Sequence, residues 1–289
     1  AFAGLFELFG RYSWSLNDTP GDDDREINPD VLGYIFEKYI NQKEFGAYYT
    51  RPEITDYQTE QTVHQLALTA AAKWTANSSQ LHAAGIVKGP APRTFENIGD
   101  LLLHADGSLC QHLLQEILPK LSLLDPACGS GAFIVAALKT LLNLTTGLIG
   151  RCTALNHRPV LQWIEHERKP HKAPEIYWLK KRIITENLYG VDIMEEAVEI
   201  AKLRLFLNLV SSAEKRDQLE LLPNIEFNLV AGNSLIGLLK IDPTAFEAKA
   251  RPAGTGGEQV RLTLAHDAEL GFTVESTTAP TSQEKAAAF

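Results

Sequence analysis

The chain has 289 residues, 45% of them hydrophobic, three cysteines and a formal net charge of -9. That length and apolar share suffice to bury a full core, while Cys110, Cys128 and Cys152, remote from one another, make neither a disulfide framework nor a zinc pattern and imply a reducing cytoplasm. The acidic balance runs against DNA binding by this chain, since such affinity comes from basic residues meeting phosphates, and the absence of a visible signal peptide or an uncharged apolar stretch of about 18 residues argues against a membrane role.

In chain order, Leu32, Ile35, Phe36 and Tyr39 repeat at helical spacing and predict a core-facing helix within a helical lead-in over residues 1–65. Asp22, Asp23 and Asp24 are adjacent carboxylates that point in different directions, which suits a solvated loop better than a metal site. Thr50 stands before a second helix, where its hydroxyl can cap the first turn and, with nearby N–H groups, face an anion. Residues 66–120 read as a helical connector.

Leu121 to Leu124 form a short apolar run with the length of a buried parallel strand. Ala132 to Leu142 are helix formers, with Phe133, Ala137 and Leu141 on one stripe. Between strand and helix lies Asp125-Pro126-Ala127-Cys128-Gly129-Ser130-Gly131. Glycine permits positive φ and a close ligand approach, and the following helix offers N–H groups in its first turn. A carboxylate at the end of the strand, Asp125, suits a cationic amine better than a phosphate. The turn has no Gly-Lys-Ser or Gly-Lys-Thr ending, as a phosphate loop requires, and Phe133 and Ile134 occupy the place of a third dinucleotide glycine. An ordinary tight turn remains the alternative at this point.

Residues 143–182 are rich in Arg and Lys, carry Pro159, Pro170 and Pro174, and include a polar helix near 160–168, so they read as a solvated insertion rather than a nucleic-acid contact. Trp163 and Trp178 read as packing anchors. Leu188 to Ile193 form a strand ending in Asp192, which is placed to accept both hydroxyls of a ribose. In the next helix, Glu195 to Val210, a stripe of Ala197, Ala201, Leu205 and Leu209 separates from Glu196, Glu199, Lys202 and Asn208. A third strand is expected within Asn224 to Gly237, ending at Gly232-Asn233, which is also ordinary turn chemistry. Residues 241–289 read as a linker or a truncated tail, with one strand expected at Val260 to Leu264.

The nine residues from Asp125 through Pro126, Ala127, Gly129 and Gly131 to Phe133 resemble motif I of the N6-adenine DNA methyltransferases, in particular the large type IIG restriction-modification and phage-exclusion enzymes. The segments 188–193, 199–205 and 224–237 are similar to later motifs of that family, in the same order. Lys43 to Ile54 resembles its motif X, with Arg51 where a proline commonly follows the threonine, and Phe6 to Tyr12 and Asn28 to Glu37 resemble its lead-in.

The resemblance implies an α/β fold with a Rossmann-like class I core at residues 121–240, a mainly parallel sheet flanked by helices behind a helical N-terminal region. It implies S-adenosylmethionine as methyl donor. Thr50 would hold its carboxylate, with Tyr49 also among the cofactor-binding residues, Asp125 and the Gly129–Gly131 backbone would lie at its amino acid portion, Asp192 at its ribose, Ile193 on its adenine face and Asn233 at the adenine edge. Such enzymes also use an Asn/Asp-Pro-Pro-Tyr/Phe turn to hold the flipped adenine, and these residues contain no Pro-Pro pair. The chain therefore reads as a donor-site fragment that binds DNA poorly by itself, belonging to an enzyme that acts on double-stranded DNA without a metal. A methyltransferase for RNA, protein or a small molecule, or a non-catalytic donor-binding module, is the alternative reading.

Overall fold

Apolar runs alternating with helix formers between residues 121 and 231 fold as a small parallel sheet in a helical frame. The computed structural model describes residues 13–14, 26–27, 29–38, 49–83, 93–168, 174–213, 225, 227–235, 261–265 and 273–277. The expectations for 6–12 and for Asp22 to Asp24 lie outside these residues, as do the side chains of Leu32 and Tyr39.

Strands β1 (Ser13–Trp14) and β2 (Glu26–Ile27) pair in parallel. Helices α1 (Pro29–Phe36) and α2 (Pro52–Ala83) follow, each with proline at its first position, where the missing N–H costs nothing. Helix α2 runs unbroken through the boundary expected between residues 65 and 66. Helices α3 (Ile98–His104) and α4 (Gly107–His112) are capped by side chains: Asn97 accepts the Asp100 N–H at 2.9 Å and Asp106 the Leu109 N–H at 2.7 Å. A π-type turn (Leu113–Ile117) and a 3-10 turn (Leu118–Lys120) then deliver the chain to the sheet.

The sheet comprises β3 (Leu123–Asp125), β4 (Leu188–Asp192) and β5 (Leu229–Ala231), all parallel, with β4 in the middle. Helices α5 (Ala132–Ala154), α6 (Arg158–Arg168) and α7 (Glu175–Glu186) connect β3 to β4, and α8 (Glu195–Val210) leaves β4. Asp125 pairs with Gly190, and Asp192 with Ala231, so the carboxyl ends of the three strands lie side by side. Two asparagine amides secure the opposite ends. Asn187 Nδ2 donates to the Leu118 and Leu121 carbonyls at 2.8 and 2.6 Å, and Asn228 Nδ2 to those of Thr185 and Leu188 at 3.0 Å each.

Helix α5 is long and apolar enough to cross a bilayer by length and composition. Its inner face, from Ile134 through Leu138 and Leu144 to Cys152, is instead buried in the core. Val63, Ala67 and Ala71 of α2 are buried in the same core, small side chains that permit close helix packing.

The expected solvated insertion is a correction. Residues 143–154 continue α5, Val160 and Ile164 bury one stripe of α6, and Tyr177, Trp178, Leu179, Ile183 and Ile184 of α7 join the core. The charges dominate the composition of this segment, but they alternate with an apolar stripe at helical spacing. Trp178 is buried, and Trp163 meets it edge to face with centroids 6.4 Å apart. On α8 the stripe Ala197, Ala201, Leu205 and Leu209 is buried as expected, but so are Asn208 and Arg204. Phe36 is buried, whereas Ile35, expected in the core, is 44% exposed.

The chain separates into two compact units, residues 1–234 and 235–289. Within the second, β6 (Arg261–Ala265) and β7 (Thr273–Thr277) form an antiparallel pair.

Candidate functional site

The turn after β3 is built on two left-handed glycines, Gly129 at φ 51° and Gly131 at φ 85°. A Cβ on Gly131 would stand 2.9 Å from that of Ala201, so the turn lies directly against α8. The Cys128 N–H bonds the Val191 carbonyl at 2.9 Å, which stitches the turn to β4.

Asp192 organises the strand ends. Its Oδ2 accepts the Gly129 N–H at 2.8 Å, its Oδ1 the Met194 N–H at 3.0 Å, and its backbone carbonyl the Gly232 N–H at 2.7 Å. Each carboxylate oxygen carries a second lone pair, so two further donors can still be accepted there. We expect Asp192→Ala to lower the melting temperature by several degrees in a thermal scan, because removing a partner from part-buried donors costs about 1–3 kcal/mol. An unchanged melting temperature would show that the two N–H groups find other acceptors.

Asp125 has a different environment. Its Oδ1 accepts the Ala127 N–H at 3.1 Å, while Oδ2 is buried and has no hydrogen-bond partner among the described residues. Burial pushes the Asp125 carboxyl above its ordinary range; the Ala127 N–H pulls it back in part, and the charge of Asp192 adds to the rise. An uncompensated oxygen of this kind is relieved by protonation or by a hydrogen-bond donor, a cationic one included. Burial likewise pushes the Cys128 thiol up to about 12, with Asp125 and Asp192 contributing, so it packs as a neutral thiol rather than acting as a nucleophile.

A cavity of about 310 Å³ opens beside Asp125 between α2, β3 and α5, lined among others by Gln58, Thr59, Thr62, Pro126 and Phe133. Gly129, Asp192 and Asn233 do not line it. They belong to the strand ends, where the hydrogen bonds around Asp192 converge, and Asp125 is shared by both regions. We take the strand ends as the centre of the site, since the polar chemistry is concentrated there. Ile193 is 65% exposed beyond β4, and Pro126, Ala127 and Asn233, beyond the ends of β3 and β5, are exposed as well.

Two sequence expectations change. The Arg51 carbonyl accepts the N–H groups of Ile54 and Thr55 at 3.0 and 3.3 Å, so Arg51 rather than Thr50 is the cap of α2. Thr50 therefore stands one position ahead of the cap, and Pro52 is the first helical residue. The N–H groups of the glycine turn are also engaged internally, Gly129 with Asp192, Ser130 with Glu37 at 3.2 Å and Gly131 with Cys128 at 2.8 Å. The glycines therefore offer close approach, and the remaining backbone donors are those of the first turn of α5.

Sequence reasoning passed over Glu37 and Arg204, both buried. The Glu37 carboxylate accepts the Ser130 hydroxyl at 2.6 Å, and Arg204 Nη1 donates to the Ser130 carbonyl at 3.1 Å. In sequence Gly33 and Glu37 lie one helical turn apart, but only the fold shows that a Cβ on Gly33 would stand 2.7 Å from Arg204 Nη1. Tyr49, next to Thr50, meets Tyr34 of α1 edge to face with centroids 5.2 Å apart.

Comparison with known proteins adds the following. Residues 104–235 match the family described as MmeI, DNA-methyltransferase domain. A protein of Methanocaldococcus jannaschii, named as a type II restriction enzyme and methyltransferase, is 35% identical over 250 residues, covering 81% of this chain. The match spans 18% of that relative's length.

Proposed function

We propose that this chain, which matches the MmeI DNA-methyltransferase domain family over residues 104–235 and is similar to a type II restriction enzyme and methyltransferase, is part of a restriction-modification methyltransferase and binds S-adenosylmethionine for methylation of the N6 amine of adenine in double-stranded DNA. The observation that carries the donor reading is the buried, unpartnered Oδ2 of Asp125 beside a turn of two left-handed glycines. A zwitterionic amino acid group fits there, its ammonium to Asp125 and its bulk against Cα atoms that carry no side chain.

When bound, S-adenosylmethionine supplies a methyl group on a positively charged sulfur. The chain's own part is to bind and orient. Asp125 takes the ammonium, and Pro126, Ala127, Gly129, Gly131 and Phe133 shape the wall beside it. Asp192 uses its remaining lone pairs for ribose hydroxyls, the exposed Ile193 covers one face of the adenine ring, and Asn233 addresses its edge. Tyr49 and Thr50 approach the carboxylate. In this reading β3, β4 and β5 are the donor-binding strands of a Rossmann-like class I core, and positioning supplies much of the rate.

No Pro-Pro pair occurs in these residues, and the net charge is -9. Both support a division of labour in which this chain is the donor-binding part, inactive alone and weak on DNA, within a cytoplasmic restriction-modification or phage-defence enzyme. Calorimetric titration of the folded chain with S-adenosylmethionine is expected to show one saturable site. Absence of binding would overturn the donor reading. For the substrate, nucleoside analysis of duplex DNA treated with the full-length enzyme is expected to yield N6-methyladenine, and methyl transfer to RNA, protein or another base instead would overturn that assignment.

A further inference from the structure

We propose that Glu37, on a helix outside the matched methyltransferase region, is a positioning residue for the donor: its carboxylate sets Ser130 and thereby the turn that carries Gly129 and Gly131. This rests on the donor-binding reading above. Glu37 follows the last residue of α1 and is 5% exposed, and Ser130 is wholly buried. One oxygen, Glu37 Oε1, accepts both the backbone N–H and the hydroxyl of Ser130, at 3.2 and 2.6 Å. From the other side, Arg204 of α8 donates to the Ser130 carbonyl at 3.1 Å.

Ser130 is thus held at its N–H, its hydroxyl and its carbonyl by two buried side chains of opposite charge. Such charge-assisted bonds are stronger than neutral ones, and their geometry is sharpest where water is excluded. The same carboxylate oxygen would lie 3.1 Å from a Cβ on Gly129, so it packs directly against the turn whose Gly129 N–H bonds Asp192. Helix α1 also presents Tyr34 to Tyr49, beside Thr50. Tyr34 and Glu37, both outside residues 104–235, therefore meet the Tyr49 ring and the glycine turn respectively.

The bonding makes the expected consequence local. Without the Glu37 carboxylate, the Ser130 N–H and hydroxyl lose their acceptor, and the left-handed pair around them loses its reference point. The Glu37→Ala chain is expected to bind S-adenosylmethionine about tenfold more weakly. Hydrogen exchange measured without donor is expected to speed up at residues 129–131 while α7 stays protected. Glu37→Gln, whose amide oxygen can still accept from Ser130, is expected to recover most of the affinity. If Glu37→Ala fails to fold, Glu37→Asp, which withdraws the carboxylate by one methylene, serves the same comparison.

A wild-type chain that does not bind donor sinks the donor reading and this proposal with it. A wild-type chain that binds, with Glu37→Ala or Glu37→Asp binding equally well, sinks this proposal alone. So does faster exchange spread evenly over α7 and the turn, which would make Glu37 a general stability residue.

Discussion

Asp125→Asn is expected to weaken S-adenosylmethionine binding roughly thirtyfold or more while leaving the ligand-free chain at least as stable as wild type. The asparagine oxygen can still accept the Ala127 N–H that Asp125 Oδ1 takes at 3.1 Å, so the local turn keeps its bond. What disappears is a negative charge whose other oxygen is buried without a partner among the described residues. In the free chain that charge is a burden; against a bound ammonium it is the main attraction, and removing one partner of a desolvated charge pair costs about 2–5 kcal/mol.

The pH dependence has a definite sign. Burial raises the Asp125 carboxyl above its ordinary value, so just above that value the folded chain holds more protons than the unfolded one. The contribution of Asp125 to ligand-free stability is therefore greatest at acid pH and declines as pH rises through its folded titration. Donor affinity moves oppositely, growing as the carboxylate ionises. Titration calorimetry across this range, with the asparagine variant in parallel, checks both slopes. Equal affinities for wild type and variant would remove Asp125 from the site.

Gly190→Val is expected to destabilise the fold by about 3 kcal/mol, lowering the melting temperature by roughly 6–12 °C. Gly190 sits in the central strand, and a Cβ there would stand 2.5 Å from Ile134 Cδ1, 2.8 Å from Leu229 Cδ2 and 3.0 Å from Cys128 Sγ. Those atoms come from α5, β5 and the glycine turn, so relief in one direction tightens another. A branched side chain adds two further methyl groups to a space already closed. Gly190 also pairs in register with Asp125, so spreading β3 from β4 separates Asp125 from Asp192. Donor binding is expected to fall together with stability, as read by a thermal scan and a titration on the same sample. A variant melting within about 2 °C of wild type would show that the core yields more easily than its contacts imply.

Much of the architecture was legible because it rests on local rules. The strand, glycine turn and helix at 123–142 follow from a short apolar run, two residues tolerant of positive φ and a row of helix formers. Helix α8 has the predicted bounds, Glu195–Val210, because its apolar stripe is regular. The insertion at 143–182 was misjudged because its charge count obscured two short stripes whose burial depends on what packs above them. The cap of α2 is Arg51 rather than Thr50 because the helix begins at Pro52 and its first carbonyl acceptor is that of Arg51.

The sequence by itself determined the local pattern: an acid at the end of each of two strands, two glycines in the turn after the first strand and an amide beyond a third strand. The tertiary structure alone decided how those groups are occupied. It engages the Gly129, Ser130 and Gly131 N–H groups within the protein, gives each Asp192 oxygen one backbone donor, leaves one Asp125 oxygen without a partner among the described residues and brings Glu37 and Arg204 from distant parts of the chain onto Ser130. Local sequence carries propensity and pattern, whereas the partner of a buried polar group is set by elements far away in the chain, and that pairing exists only once the chain has packed.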